Sequence, residues 1–358
     1  MRYFDTIAEM GHEQVVFCYD KASGYRGIIA IHDTTLGPAL GGCRFWNYAT
    51  DDDAAIDALR LSRGMTYKNA VAGLNLGGGK SVIIGDNATT NREMIFRAHG
   101  RFVDSLGGRY VTAEDVGTQV EDMDFVHMET KFVTGIGSKS GDPSSVTAHG
   151  VFRAIQASAF ERWGGDSLQG RTVAIQGLGH VGYHLANQLH KAGAKLVVTD
   201  MDAARIQRVV DATGATVVAL KDIYGVQADI FAPCALGGIL NDETIPQLKV
   251  EIVAGAANNQ LLDDRHGVDI EARGILYAPD YVANAGGVIN VYSELTGWSR
   301  ERSLRKADEI YTTVLSVFRM AKDTGIPTAE AADRVAEQRI SAVRGMIRTW
   351  PQYPNREG

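Results

Sequence analysis

Two lysines and an aspartate occupy positions that are unusual for surface charges. Lys80 follows three consecutive glycines in the stretch "GLNLGGGKSVIIG". Glycine destabilises ordered structure unless a close approach or an unusual backbone angle requires it, so this segment indicates that another group approaches Lys80. Lys68, in "GMTYKNA", lies near the end of a predicted helix whose apolar stripe includes Met65. Asp115 comes directly after a predicted strand, where open α/β sheets place functional side chains.

These three residues are suited to binding an acid and moving a proton. Burial and a neighbouring positive charge both lower the pKa of a lysine, and a neutral amine then acts as a base near pH 7. A lysine that stays charged instead binds a carboxylate, and the two lysines need not have the same role. Asp115 is the candidate proton carrier, whereas Glu114 beside it is equally suited to a structural role.

The glycines before Lys80 do not form the phosphate loop of an ATPase. That loop requires a first glycine at the position of Leu74 and a helix after Lys80. The residues that follow Lys80, "SVIIGD", instead predict a strand. We therefore do not expect ATP to bind here.

A second glycine motif is typical of dinucleotide binding. Residues 177–182 read G-x-G-x-x-G, follow the predicted strand "TVAIQ", and begin a predicted helix. Asp200 ends the next strand, where it can accept hydrogen bonds from ribose hydroxyls. With Asp202 it disfavours a 2′-phosphate, so NAD is favoured over NADP, although Arg205 nearby weakens this preference. The motif contains Gly177, Leu178, Gly179, His180, Val181 and Gly182, and we expect the His180 side chain to face outward.

Composition excludes several other classes of protein. The chain of 358 residues carries a formal net charge of -7, which offers no basic surface to nucleic acid or anionic membranes. No apolar run approaches the length of a membrane span, and we expect a cytoplasmic protein. Three widely separated cysteines and nine histidines show no metal-binding spacing, so we expect no metal site.

The order of predicted elements indicates an α/β protein with two domains separated by a cleft. We expect an N-terminal substrate and oligomerisation domain over residues 1–140 and a Rossmann-type NAD-binding domain over residues 141–327. A C-terminal helix over about 328–358 is expected to pack back on the first domain. The stretch "TTLGPALGGCR" is expected to be a loop or an edge segment.

Six stretches together resemble one enzyme family. They are "LGPALGG", "GMTYKNAVAGLNLGGGKSVIIGD", "GRYVTAEDVGT", "DIFAPCALGG", "AGAANNQL" and "YVANAGGVINV". In this order they are similar to the amino-acid dehydrogenases of the glutamate/leucine/phenylalanine/valine group, over nearly the whole chain. The resemblance implies reversible oxidative deamination of an L-α-amino acid to a 2-oxo acid and ammonia, with NAD as hydride acceptor.

The resemblance also implies a role for individual residues. Lys68 is expected to bind the substrate α-carboxylate, and Asp115 to carry protons to and from the amino group. Lys80 is expected to polarise the water at the imine or carbinolamine carbon. The substrate is further expected to contact Leu40, Gly41, Gly42, Met65, Ala113, Val288 and Val291. Beyond the glycine motif and Asp200, the cofactor is expected to contact Thr147, Ala235, Asn258, Asn259 and Asn284.

The expected side-chain pocket is aliphatic. Glutamate-using members hold the γ-carboxylate with a lysine and a serine, where this chain has Leu40 and Val291. A buried acidic side chain would have no partner there, so leucine, valine or isoleucine is favoured. Tyr292 is larger than the residue that leucine enzymes commonly have, which keeps an aromatic substrate as the alternative. A non-catalytic NAD-binding protein is a more distant alternative. The family resemblance also implies a homo-oligomer, commonly an octamer.

Overall fold

A computed structural model describes residues 2–137 and 142–346 of the chain. Its elements form two sheets with helices packed on their faces. The first sheet contains β1 (Gln14–Asp20), β2 (Tyr25–Asp33), β3 (Ala39–Trp46), β4 (Gly77–Ile84) and β5 (Tyr110–Glu114). The helices of this part are α1 (Tyr3–Met10), α2 (Asp51–Val71), α3 (Arg92–Asp104) and α4 (Val120–His127).

The remaining elements follow the order of an alternating α/β chain. The strands are β6 (Thr172–Gln176), β7 (Lys195–Thr199), β8 (Thr216–Val217), β9 (Ile230–Pro233), β10 (Ile252–Val253) and β11 (Leu276–Tyr277). The helices are α5 (Ser144–Trp163), α6 (His180–Lys191), α7 (Ala203–Thr213), α8 (Arg265–Ala272), α9 (Asp280–Ala283) and α10 (Gly286–Thr296), then α11 (Arg300–Asp308), α12 (Ile310–Thr324) and α13 (Thr328–Arg344). Two short 3₁₀ helices span Leu220–Gly225 and Ile245–Gln247.

The stretch expected as a loop or edge segment is a loop only over residues 34–38, and from Ala39 onward it belongs to an interior strand. The first sheet has the order β1-β2-β4-β3-β5, so β3 lies between β4 and β5 and is parallel to both. Its glycines are required by close backbone approach: a Cβ on Gly41 would lie 1.7 Å from the Gly79 carbonyl oxygen. The expectation was wrong because glycine weakens a strand pattern in sequence, although tight sheet packing also requires glycine.

Helix α2 is positioned at its start by a capping box. The Thr50 hydroxyl accepts a hydrogen bond from the Asp53 backbone N–H at 3.1 Å, and the Asp53 carboxylate accepts one from the Thr50 backbone N–H at 3.1 Å. Both bonds satisfy N–H groups that have no partner within the helix. Thr50 is therefore the N-cap, and α2 then packs along β4 with Lys68 in its last turn.

The second sheet is the predicted Rossmann sheet. Its order is β11-β10-β9-β6-β7-β8, and every pair is parallel. The direction of winding reverses between β6 and β9, which is the position where doubly wound sheets bind ligands at the carboxyl ends of their strands. The G-x-G-x-x-G motif follows β6 directly and leads into α6.

The last described helix contacts the first part of the chain. The Arg339 guanidinium on α13 donates hydrogen bonds to the carbonyl oxygens of Ala70 at 3.0 Å and Leu74 at 2.8 Å, which lie at the end of α2 and just beyond it. Tyr67 on α2 donates to Glu337 at 3.0 Å. Helix α13 therefore fixes the end of the helix that carries Lys68.

Some expectations concern residues outside those that the structure describes. They are the domain junction at residues 140 and 141 and the end of the expected C-terminal helix beyond residue 346. Within residues 2–137 and 142–346, no helix combines the length and the apolar character that a membrane span requires.

Close packing between α2 and β4 leads to a stability test at Gly78. A Cβ there would lie 2.1 Å from the backbone nitrogen of Thr66, so we expect Gly78→Ala to destabilise the protein by about 1–3 kcal/mol or more. Gly64 lies on α2, and a Cβ built on it has no heavy atom within 4 Å. Gly64→Ala is therefore the matched control and should stabilise the protein by about 0.5–1 kcal/mol. Urea unfolding followed by circular dichroism measures both changes, and equal stability of the two variants would contradict this packing.

Candidate functional site

The centre of the site is a buried ion pair between β4 and the end of β5. Lys80 is 4% exposed, and its Nζ lies 2.8 Å from Oδ2 of Asp115. Burial lowers the pKa of Lys80 from its ordinary value, and the Asp115 charge opposes that effect. Burial raises the pKa of Asp115, but the Lys80 and Arg44 charges outweigh it and hold this pKa below its ordinary value. In this arrangement Asp115 is an anion at neutral pH, ready to accept a proton.

The sequence analysis predicted a strand that starts next to Lys80. In the structure Lys80 lies inside that strand, β4. Strand β4 begins at Gly77, and Lys80 pairs with Ala30 of β2. The residues before it lack side chains because their neighbours leave no space: a Cβ on Gly79 would lie 2.7 Å from the Tyr110 ring. On β3, a Cβ on Gly42 would lie 2.7 Å from the Cβ of Asp115. These glycines allow the backbone to pack closely around the ion pair.

Arg44 is a charged group of the site that the sequence analysis did not identify. Its Nε donates to Oδ2 of Asp115 at 3.0 Å, the same oxygen that Lys80 contacts. Its Nη1 donates to Oδ2 of Asp57 at 2.8 Å, and that oxygen also accepts from the Tyr48 hydroxyl at 2.6 Å. A cation two residues after the paired glycines of β3 was the available signal.

Lys68 lies beside this pair, and its side chain extends to the loop that follows β10 of the second sheet. Its Nζ lies 3.5 Å from Oδ1 of Asn258, and the Asn284 amide donates to that oxygen at 2.8 Å. Burial lowers the pKa of Lys68 to about 8, the negative charge of Asp280 opposes this effect, and the Lys80 charge adds to it. Lys68 is therefore charged at neutral pH and close to its titration range.

Asp280 is a second residue that sequence reasoning missed. Its carboxylate accepts hydrogen bonds from the backbone N–H groups of Gln260 at 2.8 Å and Tyr281 at 2.6 Å. Burial raises its pKa, and the backbone donors and Lys68 oppose that rise. It fixes the loop that carries Asn258 and Asn259, where Asn259 adopts a positive φ of 50°. An acid at the first position of a short helix after β11 was its only sequence signal.

Four of the apolar residues expected around the substrate lie on β3, α2 and α10. Leu40 and Val288 are buried in one hydrophobic cluster, which also contains Leu74, and Met65 and Val291 pack against it half-buried. These residues of β3, α2 and α10 therefore share one extended hydrophobic core that spans both sheets.

Ala113 lies on β5, next to the position where Thr134 contacts this strand. The sequence analysis did not identify Thr134. Ala113 is half-buried and pairs with Gly42. Thr134 is fully buried, its backbone N–H bonds to the Thr112 carbonyl at 3.0 Å, and its hydroxyl has no hydrogen-bond partner among the described residues. A lone threonine outside the predicted strands gave no sequence signal.

The glycine motif has the shape that a pyrophosphate requires. Gly177 adopts a φ of 95°, and a Cβ on Gly182 would lie 2.0 Å from the Gly177 carbonyl oxygen. A built Cβ on Gly179 meets only the Arg205 guanidinium at 4.0 Å, so this face of the turn is open. The residues present therefore fit a dinucleotide: two glycines make the tight turn, and the third leaves room for a ligand at the start of α6.

The remaining expected cofactor residues surround the same edge of the sheet. Asp200 directly follows β7, and its Oδ2 accepts from the Leu178 N–H at 2.6 Å. Ala235 after β9 is exposed and lies against Gly177, and half-buried Val181 follows His180, whose side chain is 80% exposed as expected.

Two further residues expected to contact the cofactor are Asn284, which lies between α9 and α10, and Thr147, which lies on α5. Asn284 is 3% exposed, and its Oδ1 has no hydrogen-bond partner among the described residues, so an amide acceptor remains available there. Thr147 on α5 is half-buried, and its hydroxyl lies 3.3 Å from a Cβ built on Gly287.

Tyr292 belongs to an aromatic pair at the end of α10. Its ring meets the Trp298 ring edge to face, with centroids 5.0 Å apart. The Arg302 guanidinium lies 4.1 Å above the Trp298 ring. These contacts account for the aromatic character of this segment.

Comparison with known proteins identifies relatives of the whole chain. The family model for the Glu/Leu/Phe/Val dehydrogenase dimerisation domain matches residues 12–132. The model for Glutamate/Leucine/Phenylalanine/Valine dehydrogenase matches residues 137–223 and 198–345. Together these matches include both sheets.

Individual relatives agree with the family models. The leucine dehydrogenase of Geobacillus stearothermophilus is 58% identical over 96% of this chain and 95% of its own length. The valine dehydrogenase of Streptomyces coelicolor is 52% identical over 93% of each chain. The crystal structure of L-tryptophan dehydrogenase from Nostoc punctiforme has a TM-score of 0.88 at 48% identity, covering 96% of this chain and 99% of that one.

The buried ion pair gives a direct test of the site's electrostatics. Asp115→Asn removes the anion that stabilises charged Lys80 and leaves the burial in place, so we expect the pKa of Lys80 to fall further. The pH dependence of Lys80 acetylation, measured on the tryptic peptide by mass spectrometry, reports this pKa because only the neutral amine reacts. Asp51→Asn, which removes an exposed carboxylate paired with Arg26, is the control and should leave the profile unchanged. An unchanged profile in Asp115→Asn would contradict the pair.

Proposed function

The chain belongs to the glutamate/leucine/phenylalanine/valine dehydrogenase family and is an amino-acid dehydrogenase. On that premise we propose that it catalyses the NAD-dependent, reversible oxidative deamination of branched-chain L-amino acids, leucine above all, to their 2-oxo acids and ammonia. The observation that carries the proposal is the buried Lys80–Asp115 pair, with Lys68 beside it facing Asn258. These groups match the charges that an amino acid presents: a carboxylate for a lysine and an ammonium for an aspartate.

Lys68 binds the substrate α-carboxylate in this proposal. It is charged at neutral pH, and from α2 its Nζ approaches Asn258, which supports a carboxylate site between the first sheet and the cofactor edge of the second. A charge-assisted hydrogen bond of this kind fixes the orientation of the α-carbon, which an enzyme needs for transfer of a hydride. The backbone of Gly41 and Gly42, on β3, would also contact the substrate.

Asp115 and Lys80 share the proton chemistry. Ionised Asp115 accepts a proton from the substrate ammonium and leaves a neutral amine, from which the α-hydrogen departs as hydride. Protonation of Asp115 removes the anion that stabilises charged Lys80, so Lys80, whose pKa is lowered by burial, releases its proton to solvent. The neutral amine then takes a proton from the water that adds to the imine carbon. Asp115 returns its proton to the nitrogen of the resulting carbinolamine, ammonia leaves with the bonding pair, and Asp115 takes the hydroxyl proton as the carbonyl forms.

NAD is the proposed hydride acceptor, and the chain offers a fitting site at the switch point of the second sheet. The glycine turn at 177–182 would hold the pyrophosphate, and Asp200 would accept from the ribose hydroxyls. Thr147, Asn259 and Asn284 would lie at the nicotinamide end. When bound, NAD supplies the redox chemistry, and the protein orients it and excludes water.

The side-chain pocket supports an aliphatic substrate. Leu40, Leu74 and Val288 belong to one buried cluster, and Val291 packs against it. A glutamate side chain would place a carboxylate against these residues without a cationic partner, which costs several kcal/mol. The aromatic alternative is favoured by one observation: L-tryptophan dehydrogenase of Nostoc punctiforme is 50% identical over 95% of this chain.

We also propose how the chain is divided and assembled. Residues 1–140 form the substrate-binding domain, residues 141–327 form the dinucleotide-binding domain, and the C-terminal helix packs on the first through the contacts of Arg339. Support for a homo-oligomer, proposed as an octamer, comes from the dimerisation-domain family that residues 12–132 match. A cytoplasmic location is proposed from composition. Sedimentation equilibrium measures the number of copies, and a monomer would contradict the assembly.

Substrate choice follows from the pocket. Following NADH absorbance, we expect kcat/KM to be higher for leucine than for phenylalanine or tryptophan, and lower for glutamate than for leucine by at least about a hundredfold. Glutamine is the control, because it has the shape of glutamate without the buried charge. Higher kcat/KM with an aromatic amino acid would favour the alternative, and no turnover with any of these would contradict the proposed function.

The role of Lys68 predicts a pH dependence with a definite sign. Lys68 is charged below its pKa of about 8 and neutral above it, so the inhibition constant of 4-methylpentanoate, which lacks an amino group, should rise above that pH. Lys68→Met should bind this inhibitor weakly and without the step near pH 8. A wild-type inhibition constant that stays constant across this range would contradict a carboxylate site at Lys68.

A further inference from the structure

Asp115 has two oxygens with different surroundings. Oδ2 contacts both Lys80 Nζ at 2.8 Å and Arg44 Nε at 3.0 Å. Oδ1 accepts no hydrogen bond from a described residue and is not among the buried atoms that lack a partner. One oxygen is therefore held by two cations, and the other remains available to a ligand.

Arg44 is itself held in place from the opposite side. Its Nη1 bonds to Asp57 on α2, and the Tyr48 hydroxyl supports the same carboxylate oxygen. The Arg44 side chain is 22% exposed, and Asp57 is 27% exposed. A planar guanidinium with fixed donors on two edges orients both carboxylates, which a flexible ammonium group does less well.

We propose that Arg44 is a positioning residue for the deamination reaction: it holds Asp115 so that Oδ2 faces the two cations and Oδ1 faces the amino group of the substrate. This inference rests on the proposed function. The step it serves breaks an N–H bond of the substrate ammonium and places that proton on Oδ1, with no change in oxidation state.

The charge of Arg44 acts on both members of the catalytic pair in the same direction. It holds the pKa of Asp115 down, together with Lys80, and it adds to the burial that lowers the pKa of Lys80. Other titratable or charged groups also act on the pair: Lys68 from α2, Cys43 from β3, Glu114 and Tyr110 from β5, Tyr48 after β3 and, through Arg44, Asp57. Removing the Arg44 cation therefore raises both pKa values. The acid limb of the pH profile should move to higher pH whichever of the two groups it reports.

The test compares pH profiles of kcat/KM for leucine in wild type, Arg44→Met and Arg44→Lys. We expect the acid limb of Arg44→Met to move to higher pH by about one unit, near the lower end of the effect of an opposite charge in direct contact. We expect kcat to fall more than KM changes, because Arg44 does not contact the substrate carboxylate. Arg44→Lys should move the limb back part of the way, since it restores the charge without the planar geometry.

Arg26→Met is the matched control, because Arg26 forms an exposed ion pair with Asp51 away from the site. Its profile should match that of wild type. An Arg44→Met profile that is lower in rate but unchanged in pH position would overturn the inference and indicate a structural role. Wild type without turnover on any amino acid would instead overturn the proposed function. NADH binding, measured by fluorescence, verifies that each variant is folded.

Discussion

The ion pair between Lys80 and Asp115 is the interaction on which the rest of the site depends. An ammonium group that is 4% exposed is stable only with a partner, and removing one member of such a buried pair costs about 3–5 kcal/mol. The pair therefore constrains the three parallel strands around it. Asp115 must follow β5 directly, Lys80 must point inward from β4, and β3 must lie between them without side chains that obstruct their approach.

The glycines and the long helix satisfy these constraints together. Gly41 and Gly42 let β3 approach both neighbours, and Gly78 lets α2 lie against β4. The helix then brings Lys68 to the same place, where burial disfavours its charged form and the negative charge of Asp280 favours it. Arg339 of α13 fixes the end of α2, so a helix near the end of the chain helps position a lysine near its beginning.

Much of this site was accessible from the sequence, for reasons that differ between residues. Lys80 was recognisable by the bare backbone before it, and the dinucleotide turn by its glycine spacing between a strand and a helix. The Rossmann-type domain was predicted from the alternation of elements. These signals are local, because each depends on neighbours within a few residues of the chain.

The residues that escaped sequence reasoning depend on contacts between distant segments. Arg44 acquires its role only because β3 lies beside β5, and the same glycines that make this possible suggested an edge strand instead. Thr134 is buried beside Thr112, and Asp280 accepts from the backbone of Gln260, and no local pattern records either contact. Charge and pKa at this site are properties of the assembled fold.

Lys80→Ala tests most directly whether the buried pair carries the chemistry. NADH binding, measured by fluorescence, and deamination of leucine, measured by absorbance, should separate in this variant. The account predicts that NADH binding stays close to wild type, because the glycine turn lies on the other sheet, and that turnover is lost. Substantial turnover with intact cofactor binding, or loss of NADH binding by a folded variant, would contradict it.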